Sequence, residues 1–108
     1  VSFSGKNGER LVVRPGELNG GVCALEFLDQ CEVLILDWSA QITLDACTNC
    51  RLLIGPVDGS IMLRECLNLT VAAVCRQLRC RDCNSCELRL WTLGPIIESS
   101  QAMSFGPW

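Results

Sequence analysis

"TLDACTNCRLLIG", residues 43–55, sets two cysteines three positions apart in front of a short alternating run, and the same frame recurs along the chain. Laid beneath one another, "ALEFLDQCEVLIL" (24–36), "TLDACTNCRLLIG" (43–55), "MLRECLNLTVAAV" (62–74), "RCRDCNSCELRLW" (79–91) and "IESSQAMSFGPW" (97–108) share it. One column reads Leu28, Cys47, Cys66, Cys83 and Ser100; a second reads Cys31, Cys50, Leu69, Cys86 and Met103. Both advance together, in steps of 19, 19, 17 and 17 residues by subtraction of their numbers.

Further columns stay apolar. Cys23, Ile42, Ile61, Leu78 and Pro95 form one, Leu25, Leu44, Leu63, Cys80 and Ile97 the next, and Val33, Leu52, Val71, Leu88 and Phe105 another. Mostly polar columns lie between them, which is the period-2 signature of a strand with one face buried. A unit of seventeen to nineteen residues is too short for a helix pair and suits one coil of a parallel β-helix, stacked about 4.8 Å from the next. The column Gln30, Asn49, Asn68, Ser85 suits a stacked turn, because Asn tolerates left-handed backbone and side-chain amides ladder between coils. Glycine and proline in "GPVDG" (55–59) and "LGP" (93–95) mark a further corner.

Residues 1–22 fit the repeat less well. Asn7-Gly8 and Pro15-Gly16 bracket a short apolar run, which suits a hairpin or an incomplete first coil capping the open end of the stack. The expectation is a single all-β domain over 1–108, of about five coils with this N-terminal cap. Val1 is not an initiator methionine, so the chain reads as part of a longer protein.

Composition removes several function classes. A net charge of −3 argues against nucleic acid as a partner. The longest uncharged run, Cys66 to Cys75, is far short of the roughly 20 residues that span a bilayer. Nine cysteines invite a disulfide scaffold, yet the count is odd and the apolar fraction suffices for a core, so buried free thiols in a reducing compartment are expected. Cys47-x-x-Cys50 and Cys83-x-x-Cys86 also have zinc-like spacing. Both pairs fit the repeat as core positions, and no metal or cofactor is expected. With no histidine in the chain, no phosphate-binding glycine loop and no paired carboxylates, ordinary acid–base or nucleotide chemistry does not compete strongly. A Cys-x-x-Cys redox centre is the remaining option, although its usual setting is the start of a helix and both pairs here sit inside a β repeat.

What remains is "VCRQLRCRDC", residues 74–83. With Leu78 and Cys80 inward, Gln77, Arg79 and Arg81 face outward together. The repeat places Met62 and Ile96 beside Arg79, and Arg64 and Glu98 beside Arg81. An arginine between outward apolar residues, edged by charge, has the make-up of a binding patch, although a charged face with scattered hydrophobes has the same pattern.

Together, "GKNGE", "RPG", "DWSAQITLDACTNC", "GPVDGS", "CRQLRCRDC", "PIIESS" and a late "FG", in that order, resemble the cofactor-C-like domain family. Its members include tubulin-binding cofactor C and retinitis pigmentosa protein two, and the likeness to the second is the closer. The resemblance implies a right-handed parallel β-helix that accelerates GTP hydrolysis by a partner, an Arf-like small GTPase or tubulin. It implies that Arg79 is the catalytic arginine of the family's glutamine-glutamine-hydrophobic-arginine motif and Gln77 its second glutamine. Glu98 matches a glutamate of the GTPase-contacting surface. Arg76 departs from the motif's first glutamine and offers positive charge to an acidic partner surface instead. Met62, Ile96, Arg64 and Arg81 complete the expected contact face. Three functions fit these residues: a GTPase-activating domain, a catalytically weak adaptor, and a tubulin-folding cofactor domain. The setting implied is cytoplasmic, at the base of a cilium or flagellum or at a centrosome.

Overall fold

The computed structural model describes residues 1–98 and 103–106, and they form a parallel β-solenoid of about five turns without a helix. The strands are β1 (Ser2–Ser4), β2 (Arg10–Val13), β3 (Val22–Glu26), β4 (Glu32–Ile35) and β5 (Ser39–Asp45). They continue as β6 (Arg51–Ile54), β7 (Val57–Arg64), β8 (Thr70–Arg81), β9 (Glu87–Glu98) and β10 (Ser104–Gly106). One wall stacks β1, β3, β5, β7 and the second half of β8; the other stacks β2, β4, β6 and the first half of β8. β9 then pairs along β8 over both walls, and β10 pairs with the start of β9. A third side is reduced to single parallel bridges, Asn7–Asp29–Thr48–Leu67–Asn84.

The register is that of the repeat. Ile42 pairs with Ile61, Ile61 with Leu78, and Leu78 with Pro95. Val33, Leu52, Val71 and Leu88 follow one another on the other wall. The inward columns make one core in which Leu25, Ile42, Leu44, Ile61, Leu63 and Leu78 are wholly buried, each such side chain contributing roughly 1.5–3 kcal/mol. All nine cysteines are buried, and none is in a disulfide. Cys47, Cys66 and Cys83 lie in one line, and each thiol donates to the carbonyl of the preceding coil at Leu25, Leu44 and Leu63, at 3.6, 3.5 and 3.4 Å. Met103 packs against the core from its expected column, while Ser100 lies outside the described residues.

The corner expected from Asn49 and Asn68 is left-handed throughout: Gln30, Asn49, Asn68 and Ser85 have φ of 54, 54, 56 and 57°. Asn68 Nδ2 donates to Asn49 Oδ1 at 2.8 Å, and Asn49 Nδ2 to Asp29 Oδ1 at 3.1 Å, so the amides do ladder between coils. A second left-handed column, Phe27, Ala46, Glu65 and Asp82, runs beside it at 52–54°. Nothing in those residue types announces it.

Residues 1–13 take the second of the two forms expected for them, an incomplete first coil and not a hairpin: β1 and β2 add in parallel to β3 and β4, and Gly5 and Gly8 occupy the two left-handed corners of that coil. The extra residues of that coil form a loop, 14–21, held by one carboxylate. Asp37 Oδ2 accepts from the backbone N–H of Gly16, Leu18 and Asn19 at 3.0, 3.1 and 2.7 Å. One expectation is corrected: the glycine–proline clusters do not share a corner, since Gly55-Pro56 turns between β6 and β7 whereas Gly94 and Pro95 lie within β9, level with Gln77 and Leu78.

Candidate functional site

The alternation of β8 fixes the site. Val71, Ala73 and Cys75 point inward, then both Arg76 and Gln77 face out where the strand passes from one wall to the other, and Leu78 and Cys80 return to the core. Gln77, Arg79 and Arg81 are consequently exposed on one wall. The backbone beneath them is paired on both sides: Arg79 sits opposite Met62 of β7 and Ile96 of β9, and Arg81 opposite Arg64 and Glu98. The side chains of Ile96 and Glu98 lie outside the described residues; their strand positions are those the repeat gave.

The four arginines at this site differ in what they touch. Arg64 is committed to Asp45, with Nε 2.7 Å from Oδ1 and Nη2 3.2 Å from Oδ2. This bidentate geometry is the strongest that an arginine and a carboxylate make. Arg76 reaches back across the coil to Asp58, its Nε donating to the backbone carbonyl at 2.9 Å and its Nη2 lying 3.1 Å from Oδ1. Arg81 has Asp82 Oδ2 at 3.9 Å, too long for a hydrogen bond. Arg79 makes no ion pair or hydrogen bond through its side chain with a described residue.

The structure thus brings Gln77, Arg79, Arg81, Met62 and Arg64 onto one wall and sets Arg76 at its edge, turned to the corner. The carboxylates Asp45 and Asp58, which neutralise two of the arginines, lie within segments that carry the family likeness but were not among the candidate site residues. Their signal is register alone: Asp45 is one coil from Arg64, and Asp58 is in the two-residue bulge of β7 that faces Arg76.

Beneath the wall every thiol is buried, and hydrogen bonding to Cys66 shifts Cys47 and Cys83 down while other thiols are shifted up. Burial pushes Cys50 up to about 11. Cys66 is also pushed up, first by its hydrogen bonds with Cys47 and Cys83 and then by burial. A thiol raised in this way is a poor nucleophile. Among the described residues no group of three or more Cys, Asp or Glu is arranged to hold a metal ion, and no helix is long and apolar enough to cross a membrane.

The chain is a parallel β-solenoid with Gln77, Arg79 and Arg81 exposed along one wall, and the Arg79 guanidinium has no partner among the described side chains. Comparison with known proteins gives the family. The model of the family described as tubulin binding cofactor C, TBCC, matches residues 20–108, and the chain belongs to that family. Human tubulin-specific chaperone C is 29% identical over 107 residues, covering 98% of this chain and 31% of its own length. Protein XRP2 of Danio rerio is 40% identical over 105 residues, covering 96% of this chain and 28% of its own length. The chain therefore spans about a third or less of these relatives. The solved tubulin binding cofactor C from Leishmania major superposes with a TM-score of 0.58 at 23% identity, covering 98% of this chain and 51% of that one, and supports the fold.

Proposed function

We propose that the chain is a GTPase-activating domain that lends Arg79 in trans to a GTP-bound Arf-like small GTPase. The observation that carries this is the state of Arg79: exposed, without a carboxylate partner among the described side chains, and rooted in a strand hydrogen-bonded on both sides. In the reaction the partner's bound water attacks the γ-phosphorus, the bond to the β–γ bridging oxygen breaks, and GDP leaves. Negative charge grows on the bridging and γ-phosphate oxygens, and a guanidinium placed there accelerates hydrolysis by roughly 10³ to 10⁵. A planar fork meets two oxygens at once, which a lysine cannot do.

Gln77, two residues before Arg79 on the same wall, is about 7 Å along the strand and is placed to contact the partner beside the arginine. Glu98, level with Arg81, would order the partner's surface at the wall's edge. Arg76 is spent on Asp58 and acts in holding the corner more than in contacting the partner. In this reading the domain works in the cytoplasm, at the base of a cilium or flagellum.

Single-turnover GTP hydrolysis by GTP-loaded Arf-like GTPases, with the chain and with Arg79→Ala, tests the proposal. Acceleration by the chain that falls to the intrinsic rate in Arg79→Ala, with binding retained, is expected. Equal rates with and without the chain for every GTPase overturn it. A tubulin-folding cofactor role is the second reading, favoured by likeness to human tubulin-specific chaperone C along 98% of the chain. Binding of tubulin without any Arf-like interaction would put it first.

A further inference from the structure

Three large apolar side chains stand half out of the surface on the far side of the corner from Arg79: Leu36 at 46%, Trp38 at 49% and Leu53 at 46% exposure. They belong to two adjoining clefts of about 370 and 410 Å³ that share Trp38, Pro56 and Val74 as a common wall. Three successive coils supply this wall, so the clefts are built into the stack and not into one loop.

Trp38 is held in place from behind. Gly20, at φ +81°, lies so close beneath the indole that a Cβ there would sit 2.4 Å from the ring. The loop carrying Gly20 is in turn tied to Asp37. A large aromatic is thus presented at fixed orientation, which lowers the entropic cost of binding against it.

The charges around the clefts are already used. Asp37 accepts from Gly16, Leu18, Asn19 and, through its other oxygen, Trp38. Asp58 is paired with Arg76. The backbone is used as well: Gly20 N–H donates to the Trp38 carbonyl, Ser39 N–H to that of Pro56, and Gly55 N–H to that of Ile35. What the clefts offer an occupant is apolar wall, so a strongly acidic or basic segment gains nothing by entering.

Size decides between the remaining occupants. Half of one tryptophan and of two leucines is roughly 300 Å² of apolar surface, in the range where a patch on a monomer is functional. A stable dimer buries about 800 Å² on each partner. A second copy seated here would fall well short, whereas a short segment placing apolar side chains in both clefts does not need that area.

We infer that this corner is a docking groove for an uncharged partner segment carrying two large apolar side chains, distinct from the Arg79 wall and independent of any GTPase reading. The test is selection from a displayed library of random peptides against the chain, with the bound peptides followed by NMR at the Trp38 indole N–H and the Leu36, Leu53 and Val74 methyls. Expected are peptides of no net charge with two large apolar residues, affinity unchanged by salt, about tenfold or greater loss in both Leu53→Ser and Leu36→Ser, and no change in Arg79→Ala. Both leucines face outward, so neither substitution opens the core. Enrichment of acidic or basic peptides with salt-dependent binding, binders insensitive to both leucine substitutions, or no enrichment at all would overturn the inference. So would self-association of the chain in sedimentation equilibrium that Leu53→Ser abolishes.

Discussion

Replacing Ala46 by glycine should not weaken this protein in the way that alanine-to-glycine changes ordinarily weaken a strand. Ala46 is held at φ 52°, where an L-residue with a Cβ pays about 1–2 kcal/mol. Glycine removes that strain. Against this stand the greater entropy of glycine in the unfolded chain, about 0.5–1 kcal/mol, and the loss of one half-buried methyl, roughly 0.4 kcal/mol as half of a buried methylene. The net effect lies between about 0.4 kcal/mol of destabilisation and about 1 kcal/mol of stabilisation, centred on a few tenths of a kcal/mol of stabilisation. Ala72, half-buried on the outward side of β8 between Leu53 and Arg89, supplies the control, because Ala72→Gly carries the same two penalties and relieves no strain. It should cost about 1–1.4 kcal/mol. The two variants then differ by the strain alone, about 1–2 kcal/mol, or roughly 4–8 °C in melting temperature for a chain of this size. Urea denaturation with an unchanged slope measures it. If Ala46→Gly falls as far as Ala72→Gly, the corner at Ala46 is not left-handed and the second column of strained residues does not exist.

Two further outcomes follow from the same structure. The Asp37 carboxyl is held below the usual carboxylate range, first by the N–H of Asn19 and then by those of Trp38, Leu18 and Gly16, against a smaller opposing effect of burial. Its contribution to loop 14–21 is therefore fully present above the ordinary aspartate value of about 3.9 and is lost as pH falls below that through the lowered folded value. Amide exchange at Gly16, Leu18 and Asn19 should accelerate in that acid window in the parent chain and show no such step in Asp37→Asn; a flat parent profile would show that the carboxylate does not hold the loop. Leu78, with no exposure, sits between Gln77 and Arg79, and Leu78→Ala should cost about 2–5 kcal/mol by cavity formation. In the hydrolysis assay it should also lower the acceleration although Arg79 is intact, and full activity at normal turnover would argue that the wall need not be stiff.

The fold was legible because its core is written in residue types. Cysteine, leucine and isoleucine recur at inward positions in every coil, so the columns could be aligned by eye and the register followed. The turn at Asn49 and Asn68 was legible for the same kind of reason, since asparagine is chemically suited to that backbone. The parallel corner at Phe27, Ala46, Glu65 and Asp82 was not, because its conformation is imposed by neighbours. Phe27 N–H donates to the Asp45 carbonyl, Ala46 N–H to that of Arg64, and Glu65 N–H to that of Arg81, each at 2.9–3.0 Å. Stacking sets φ there whatever the side chain. At the N-terminus the sequence was ambiguous, as Asn7-Gly8 serves a hairpin and a left-handed coil corner equally well, and only the parallel pairing with β3 and β4 decides. The outward row of Gln77, Arg79 and Arg81 could be read from alternation, but which arginines are free could not, because Asp45 and Asp58 lie 19 and 18 residues from their partners.

The shortening of the coil bears directly on Arg79. Between the third and fourth strands of the first wall, β5 and β7, equivalent residues are 19 apart, and between β7 and β8 they are 17 apart. One residue is lost at the Gly55-Pro56 corner, since Leu53 pairs with Ala72 but Val57 with Cys75. The other is lost at the Asp58–Gly59 bulge, since Ser60 pairs with Gln77. Without those two residues the chain has no slack for a loop, and β8 runs over the corner as one twelve-residue strand where the earlier coils break. Arg76 falls at the bend and is pinned to Asp58, the residue exposed by the bulge. The arginine three positions later then stands on the first strand of this wall that continues unbroken into the other one. A guanidinium on a loop would lose the freedom of its backbone each time it met a partner, about 1–2 kcal/mol per residue ordered. On β8 that cost has been met in folding, and only the side chain of Arg79 remains to be ordered on contact.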